Sequence, residues 1–574
     1  MDISKIQLED GVYNVKDAKA REDIANIQKS LSTSNINYYK SVEEMKKADL
    51  TAGNFARTLN YFAGNGGGAY YSIRLKKASD IIDNASIIEL KNKTIIAELL
   101  LLQNVVDVKS FGAKGDGITD DYQAIQKCLD YAQTNKLIVY FTKPQNFYSI
   151  SHGLIVNNEI TGIEAEYWDY YGIIRPATQN ITMITLKAHM GFFMKNLSLG
   201  SETYFKANGI LFEGHIGINI FEHIRVYNLN GFGMKFNAIY DSVLTDLSIE
   251  KCGNTEEYAF SMNNDGDTCN MTNVDRLQVE QANQKAIFIE AGTLSCVFTN
   301  IHSERANTTY NECWYLGGHN TIYNGVRIHA ENLNNSTYLV KLVSDNNSYN
   351  DLLFENNVAS ELEGVNGNLL TINSSTVNEL KETQNQIGQL FVNDSNVQNV
   401  HTSKFTFTNC KITGEIDCKY SDGQYSKFIN CIITNNIKQT SNTAKVLFEN
   451  SELKGIFNTA NFNSIKLINC KVENLKNNKF EYTDLFADNT EFVNEVAFDS
   501  TYVICKNCIF DSNLNYAFNN NVRLMQNCRC AGTVDNSFNE KPATGGAKIG
   551  DTCYAMSPTD SNNKFWIFNG TEFI

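Results

Sequence analysis

The sequence predicts an all-β chain folded as a parallel β-helix. Between residues 409 and 527 a short phrase recurs seven times, with an Asn placed just before a small residue in each copy. Successive Asn residues are 21, 20, 19, 20, 18 and 20 positions apart, and apolar and polar residues alternate around them as in a β-strand. A constant period near 20 is typical of stacked coils, because one coil cannot bury its own apolar face. The seven positions are Asn409, Asn430, Asn450, Asn469, Asn489, Asn507 and Asn527.

A related phrase recurs upstream at wider steps. Wider steps indicate larger coils or loops that project from the stack, and such loops are where binding and catalytic residues concentrate. We therefore expect the functional site before residue 361. The predicted ladder positions in this part are Asn196, His223, Asp246, Asn273, Asn300, Asn324 and Asn356.

Charge and composition exclude several classes of protein. The net charge of the 574 residues is −15, which argues against a nucleic-acid partner because phosphate binding depends on Lys and Arg. The start of the chain lacks a basic stretch followed by an apolar run, so we expect no secretory signal. The longest apolar stretch, residues 95–106, is short and contains Glu98, so no membrane insertion is expected.

The fourteen cysteines predict reduced thiols in the core, since five of them occupy the repeat position after Asn. Cys505, Cys508, Cys528 and Cys530 loosely imitate a zinc spacing, but two of them already belong to the repeat. The acidic loop with Asp265 and Asp267 leaves a structural calcium open, although the full ligand pattern is missing. We expect no cofactor and no catalytic metal.

The two ends of the chain have their own patterns. Residues 16–32 place apolar side chains at steps of four and three, which indicates a narrow helical seam of the kind found in oligomer contacts; packing on a neighbouring module is the alternative. Residues 38–104 alternate as short strands around a Gly-rich turn and predict a small β module. Residues 541–574 predict a closing β cap with an aromatic hairpin.

Residues 105–128 combine an alternating strand, a Gly-rich turn and an amphipathic helix. The turn contains Gly112, Gly115 and Gly117; Thr119 or Asp120 is the predicted helix cap. The helix is expected to cover the open end of the stack with the apolar face Ala124, Ile125, Cys128 and Leu129. This segment closely resembles the opening of the right-handed β-helix in the pectate-lyase-like superfamily, as found in phage tailspikes and appendage proteins.

The resemblance implies a homotrimeric protein of the virion tail that is assembled in the host cytoplasm and acts at the host cell surface. It implies that residues 1–37 anchor the chain to phage tail or baseplate proteins. The two step lengths of the repeat predict wide coils over residues 105–361 and narrow 20-residue coils over residues 362–540. The implied ligand is a host surface polysaccharide, either capsule or cell-wall glycan.

Five strands of the wide coils end in the same way, with an inward–outward–inward alternation followed by a Glu. Stacked strands lie about 4.8 Å apart, so neighbouring glutamates should be near 5 Å apart and alternate ones near ~9.6 Å apart. Retaining glycosidases hold two carboxyl groups about 5 Å apart and inverting enzymes up to about 9.5 Å apart. We therefore predict catalysis by Glu280, Glu304 and Glu331. The full predicted column is Glu250, Glu280, Glu304, Glu331 and Glu361.

A structural alternative remains open, in which each Glu binds backbone amides of the next coil. Several flanking side chains are predicted to contact the substrate. There they would assist proton transfer, balance charge or stack on sugar rings. Contacts between subunits of a trimer are the alternative for the aromatic ones. The predicted substrate-binding residues are His302, His329, Arg276, Arg305, Arg327, Trp314, Tyr315 and Trp168, with Tyr167, Tyr170 and Tyr171 as further aromatic candidates.

The predicted function is binding and depolymerisation of the glycan by two-carboxylate hydrolysis. The motifs of pectinase-type hydrolases are not assembled in this sequence, so the superfamily does not by itself give the activity. The alternatives are a receptor-binding adhesin without catalysis, a polysaccharide lyase on the same fold, and a purely structural fibre.

Overall fold

The computed structural model divides the chain into two compact units, here called unit 1 (residues 1–260 and 265–267) and unit 2 (residues 261–264 and 268–574). Structural statements below concern the described residues alone. These are residues 5–8, 11–14, 36–187, 190–214, 216–264, 267–304, 312–330, 338–344, 346–356, 358–364, 369–382, 389–402, 404–418, 425–439, 444–458, 462–475, 479–481, 484–494, 496–499, 502–511, 514–516, 522–526, 528–530, 552–555 and 564–567.

Unit 1 begins with an antiparallel hairpin of Lys5–Leu8 and Gly11–Asn14. The helical seam predicted for residues 16–32 lies outside the described residues. A five-stranded sheet follows, mainly antiparallel, with a short helix, Val42–Lys47, whose N-terminus is capped by the Ser41 hydroxyl. The strands of this sheet are Ile36–Tyr39, Phe55–Thr58, Tyr70–Leu75, Ile87–Glu89 and Ile95–Leu100.

A Gly-rich turn and a helix, Tyr122–Asn135, open the coils of unit 1. The N-cap residue is Asp121, one position after the predicted Asp120. The Asp121 carboxylate accepts hydrogen bonds from the backbone N–H groups of Lys114 and Gly115, at 2.6 and 2.9 Å, and so ties the turn to the helix. Gly115 has a φ of 64°, and a Cβ there would lie 2.7 Å from Pro144, so both conformation and space require glycine.

The helix covers the first coil strands, as predicted, and buries an apolar face. The buried face differs from the predicted one at both ends. Ala124 is only half-buried, and Ala132, which was not predicted, is buried at the far end. A short 3₁₀ turn, Val108–Phe111, precedes the helix. The buried residues of the helix are Ile125, Cys128, Leu129 and Ala132.

The coils of unit 1 are made of parallel strands that pair in register with the next coil. Aromatic rings stack along their interior; Phe212 and Phe236, for example, lie 3.9 Å apart and nearly parallel. The strands are Val105–Asp107, Ile138–Phe141, Tyr148–Ile150, Leu154–Val156, Gly162–Ala165, Ile174–Pro176, Thr182–Lys187, Phe193–Lys195, Ser198–Phe205, Asn208–Glu213, Ile216–Gly217, Ile220–Leu229, Met234–Asn237, Ile239–Tyr240 and Val243–Glu250. The strand Phe260–Asn263 belongs in part to each unit.

Unit 2 contains parallel coils and, among its described residues, ends in an antiparallel hairpin of Thr552–Ala555 and Lys564–Ile567. Its wide coils contain Asn273–Glu280, Ile287–Ile289, Val297–Glu304, Glu312–Leu316, Ile322–Ala330, Tyr338–Ser344, Asn347–Asn356 and Val358–Gly364. Its later coils contain Leu369–Asn373, Thr376–Glu382, Gln389–Asn393, Asn396–Thr402, Phe405–Thr408, Lys411–Ile412, Ile416–Cys418, Tyr425–Ile429, Ile432–Ile433, Ile437–Gln439, Ala444–Glu449, Glu452–Phe457, Phe462–Ile468, Lys471–Leu475, Lys479–Glu481, Asp484–Asp488, Glu491–Phe492, Val496–Asp499, Tyr502–Lys506, Ile509–Phe510, Leu514–Tyr516, Val522–Gln526 and Arg529–Cys530.

This pairing confirms the predicted right-handed parallel β-helix. Ring stacks again fill the interior, as with Phe298, Tyr323 and Tyr349 at centroid distances of 4.9 Å from one ring to the next. Equivalent residues of successive coils therefore meet in the core, which is what the constant period requires.

The repeated Asn is the residue at which each strand of the ladder bends. Asn469, for example, has a φ of 51°, in the left-handed region that Asn tolerates better than most residues. Its side-chain amide donates to Asn450 Oδ1 at 3.0 Å and accepts from Asn489 Nδ2 at 2.8 Å. The amides of Asn450, Asn469 and Asn489 are thus joined by hydrogen bonds outside the core, and Asn430 donates to Asn409 in the same way. The Asn527 prediction lies outside the described residues.

The ladder was predicted less well in the upstream coils. His223, Asp246 and Asn300 do occupy the left-handed bend, as does Asn196. In three other coils the bend lies at a different residue from the predicted one. The bend must stand one residue before an inward apolar side chain, and the sequence pattern marks that position only weakly. The predictions Asn273, Asn324 and Asn356 are wrong, and the residues at the bend are Arg276, Gly325 and Asp351.

Described cysteines such as Cys252, Cys410 and Cys470 are reduced and buried. Burial raises the pKa of the Cys252 thiol to about 12 and that of the Cys470 thiol to about 11. In the described part of the chain no cluster of His, Cys, Asp or Glu has the geometry to hold a metal ion. Asp265 is outside that part. No described helix is long and apolar enough to cross a membrane.

Candidate functional site

A carboxylate pair lies on one outer face of unit 2. The strands Asn273–Glu280 and Val297–Glu304 are parallel and in register, and Glu280 is the Cα partner of Glu304. Neighbouring strands are about 4.8 Å apart, so the two glutamates stand side by side on adjacent coils. Val279 and Ser303, just before them, are buried, which directs both carboxylates outward as predicted.

The third strand of this face has a different register from the predicted one. Ile322–Ala330 pairs so that His329, and not Glu331, lies opposite Glu304. The sequence interpretation aligned the two similar Ile-His phrases, which would place Ile301 opposite Ile328. In the structure Ile301 pairs with Val326 instead. Glu331 itself lies outside the described residues. The column therefore runs Glu280, Glu304, His329 across three strands.

Glu361 does not belong to this column. It lies on Val358–Gly364, where its Cα partner is Lys341 of the strand Tyr338–Ser344. That strand pairs with Glu312–Leu316, which forms a different row of the coil. The prediction for Glu361 is wrong, because similar strand endings occur in two rows of one coil.

His302 connects the second strand to the carboxylate pair. Its Nε2 lies 3.1 Å from Glu304 Oε1, and both side chains are partly open to solvent. Its Cα partner is Arg327, an exposed cation on the third strand. Two carboxylates, two imidazoles and one guanidinium thus share a small outer surface.

The other predicted cations are placed differently. Arg276 occupies the left-handed bend of its strand and forms an ion pair with Asp275 at 3.4 Å. Its side chain is exposed on the same strand as Glu280, four residues earlier. Arg305 lies outside the described residues.

The predicted aromatic partners of the carboxylate pair belong to the neighbouring row. Trp314 and Tyr315 lie on the strand Glu312–Leu316, not in a loop. Trp314 is 1% exposed and its indole N–H donates to the Ser303 hydroxyl inside the coil at 2.8 Å, so the prediction that it stacks on sugar is wrong. Tyr315 is half-buried against the Phe288 ring, 5.0 Å away.

Unit 1 contains a second cluster, built on a buried ion pair. Arg225 and Glu250 lie on adjacent strands, and Arg225 Nη2 donates to Glu250 Oε2 at 2.6 Å. The Tyr170 hydroxyl donates to the same carboxylate at 3.0 Å. Glu250 points outward as predicted, but the segment containing Tyr170 covers it, and only 8% of its side chain is exposed. Glu250 is therefore held by a cation rather than open to a ligand.

Trp168 lies in the segment that covers this pair. Its ring centroid is 5.6 Å from that of His223 and 5.4 Å from the Arg225 guanidinium. Sequence reasoning singled out the aromatic run 167–171 but missed Arg225 and Arg175, the cations behind it. The alternation of apolar and polar residues along a strand does not reveal the role of these two cations, because the residues they contact come from distant parts of the chain.

Comparisons with known proteins give one partial sequence match and several structural neighbours. No protein-family model matches the chain. Depolymerase 1, capsule KN3-specific, from Klebsiella phage KN3-1 is 24% identical over 165 residues. That match covers 25% of this chain and about a fifth, 20%, of the relative's length.

Solved structures similar to the chain include phage tailspikes. The tailspike gp49 from Acinetobacter baumannii bacteriophage Fri1, a capsular polysaccharide depolymerase, is 13% identical, with a TM-score of 0.43 and 74% of each chain covered. The gp42 tailspike of Acinetobacter phage vb_AbaP_AS12 is 13% identical, with a TM-score of 0.36 and coverage of 94% of this chain and 93% of that one.

Proposed function

We propose that the chain is a tailspike that binds a host cell-surface polysaccharide and cleaves it by glycoside hydrolysis. The observation that carries the proposal is the in-register pair Glu280 and Glu304 on adjacent parallel strands of unit 2. The spacing of such strands, about 4.8 Å, suits the carboxyl separation of about 5–5.5 Å used by retaining glycosidases. The local similarity to a phage capsule depolymerase supports the choice of substrate class.

The two carboxylates have different neighbours, which suggests their tasks. His302 Nε2 lies 3.1 Å from Glu304 Oε1, so an imidazole N–H can hydrogen-bond this carboxylate and hold it in place. Glu304 is therefore the proposed nucleophile and Glu280 the proposed acid. Glu331, which lies outside the described residues, stays a predicted third carboxylate.

In the first step the Glu304 carboxylate attacks the anomeric carbon while Glu280 gives its proton to the glycosidic oxygen, so the glycosidic bond breaks and a glycosyl ester forms. In the second step water attacks the anomeric carbon of the ester. Glu280 takes the proton of that water and Glu304 leaves as a carboxylate. The configuration at the anomeric carbon is retained.

The test uses the intact protein and a panel of bacterial capsular and cell-wall polysaccharides. Hydrolysis by the wild-type protein should release new reducing ends, with retained configuration in the first product seen by NMR. E280Q and E304Q should each lower the rate by about 10²-fold or more, because each removes a group that acts in the transition state. E449Q, on the later coil strand Ala444–Glu449, is the matched control and should keep full activity.

Other outcomes separate the rival functions. Products that absorb ultraviolet light through an unsaturated sugar would indicate a lyase and contradict hydrolysis. Binding without any cleavage would indicate a receptor-binding adhesin, and neither binding nor cleavage a structural fibre. Full activity in both E280Q and E304Q would show that the catalytic site lies elsewhere.

A further inference from the structure

We infer that unit 1 carries its own saccharide-binding site, a stacking surface for pyranose rings formed by Tyr167, Tyr170 and Tyr171. We call these three residues the tyrosine platform. The inference rests on the proposed function, since it concerns the same class of ligand. It assigns to unit 1 a binding task that does not involve the carboxylates of unit 2.

The first observation is exposure. Tyr167, Tyr170 and Tyr171 are 37%, 44% and 39% exposed, although they follow one another within five residues of the chain. Single exposed aromatic residues are ordinary, but grouped exposed apolar surface marks interaction sites. A tyrosine also combines an apolar ring with a hydroxyl, which fits ligands that are apolar on one face and polar at the edge.

The second observation is that each ring is supported from one side by a cation. The Arg225 guanidinium lies 4.1 Å from the Tyr170 ring centroid, and Lys143 Nζ lies 4.3 Å from that of Tyr167. Arg175 lies 5.8 Å from the Tyr171 ring. The Tyr170 ring also meets the Tyr171 and Tyr227 rings, at centroid distances of 5.2 and 4.9 Å, and its hydroxyl turns inward to Glu250. Its 44% exposure therefore belongs to the ring surface that these contacts leave open. The rings are thus presented outward.

The third observation is that the segment is held in place by buried polar contacts. Arg225 donates through Nε to the Tyr170 carbonyl at 3.1 Å, through Nη1 to Ser248 at 2.9 Å and through Nη2 to Glu250 at 2.6 Å. Arg225 and Glu250 are 7% and 6% exposed. Three donors fixed to three partners leave the guanidinium little freedom, so Tyr170 is held at both its backbone and its ring.

Arg175 fixes the other end of the segment in the same manner. Its Nε donates to the Gly172 carbonyl at 3.0 Å, and its Nη2 lies 3.3 Å from Asp169 Oδ1. The Asp169 backbone N–H donates to the Ser198 hydroxyl at 3.1 Å. A platform ordered before binding loses little conformational entropy when a ligand arrives, and this favours ligands such as sugars whose individual contacts are weak.

The surroundings favour a sugar over an apolar partner. Tyr170 and Tyr171 meet edge to face with centroids 5.2 Å apart, which makes a corner with two ring surfaces. Lys251 lies beside it and donates to the Tyr227 hydroxyl at 2.9 Å, with a third of its side chain exposed. A pyranose offers C–H groups on one face and hydroxyls at its edge, and this corner offers rings with polar groups at their margin.

The experiment measures binding rather than cleavage. The probe is the polysaccharide of the panel that the wild-type protein binds most tightly, cut to oligosaccharides and titrated calorimetrically into each full-length variant. Y170A and Y171A should each weaken the affinity by about 5- to 10-fold, the range expected for loss of one stacking contact. Y171F keeps the ring and should bind within about twofold of wild type. Y38A is the control, because Tyr38 is 62% exposed on the five-stranded sheet of the same unit.

Folding and assembly are checked in parallel by circular dichroism and sedimentation. Unchanged affinity in folded Y170A and Y171A would overturn the tyrosine platform and leave the proposed function standing. A change of oligomeric state in these variants, with affinity unchanged, would mean that the rings contact a second subunit, which also overturns it. If the wild-type protein neither binds nor cleaves any polysaccharide of the panel, the proposed function fails and the platform with it.

Discussion

At the scale of the residue, Arg225 and Glu250 form the most consequential contact of unit 1. Both side chains are more than nine-tenths buried and lie 2.6 Å apart. Removing one partner of such a pair leaves a buried charge without its counter-ion, whereas an ion pair at the surface contributes little. Each buried charge in unit 1 is therefore tolerated chiefly because its partner is present.

We predict that R225M destabilises the protein by about 3–5 kcal/mol, since it removes the buried ion-pair partner of the Glu250 carboxylate. Replacing both partners, in R225M/E250L, should recover most of this loss because no buried charge remains. The measurement is the free energy of unfolding in urea. E43Q, which removes the exposed Lys47–Glu43 pair, is the control and should change stability by less than about 1 kcal/mol. A loss in R225M no larger than in E43Q would contradict the argument.

At the scale of the element, the bend residue decides the path of each coil strand. Asn409, Asn430 and Asn450 lie in the left-handed region, and they can do so because Asn is among the few residues that tolerate it. Hydrogen bonds between these Asn side chains and side chains of neighbouring coils make a second contribution to stability. In the upstream coils Asp351, another residue type that tolerates this region, takes the same conformation, and so does Arg276. At Arg276 the packing of the coil, not the residue type, imposes the bend.

Two variants of Asn469 separate these two contributions. N469A loses two amide hydrogen bonds and strains the backbone, so we expect a loss of about 3 kcal/mol in the free energy of unfolding. N469G loses the hydrogen bonds but accepts a φ of 51°, so a loss of about 1–2 kcal/mol is expected. N463A, at an exposed position of the neighbouring strand Phe462–Ile468, should stay within about 0.5 kcal/mol of wild type.

Equal losses in N469A and N469G would show that backbone conformation contributes nothing at this position. A loss in N463A comparable to that in N469A would remove the ladder as the explanation. Both comparisons use the same urea titration, so denaturant dependence and any difference in the unfolded state can be read from the slopes.

Register, which belongs to the same scale, limited the prediction of the site. Glu280 and Glu304 could be paired from the sequence because their strands share one pattern from Leu277 and Ile301 onward. Glu331 could not be placed from the sequence alone. In the next strand the Ile-His phrase stands two residues beyond the position that pairs with Ile301, which is Val326. A repeated phrase shows that strands stack, but the hydrogen-bonded register is set by the bend and the packing around it.

At the scale of the whole molecule, each of the two compact units contains described coils that pack on their neighbours. Such an array gains core with every coil, so a unit can lengthen without a second hydrophobic centre. The resemblance of residues 105–128 to the opening of tailspike β-helices implies further assembly into a homotrimer. We therefore expect three chains to act together.

Sedimentation equilibrium tests this directly. The full chain should sediment at three times the mass of one chain, independent of concentration in the micromolar range. A variant that lacks residues 1–35 shows whether the predicted N-terminal seam is needed, because loss of the trimer in that variant alone would place the contact there. A monomeric mass for the full chain would refute the trimer.

The sequence by itself determined the class of fold, the end-covering helix and the outward direction of Glu250, Glu280 and Glu304. These follow from local patterns: a period near 20, an alternation of two, and a helical face after a Gly-rich turn. Only the tertiary structure decided which residues meet. It placed His329 opposite Glu304, buried Trp314 and set Arg225 behind Tyr170, because those contacts join residues 11 to 55 positions apart whose proximity depends on coil length and register.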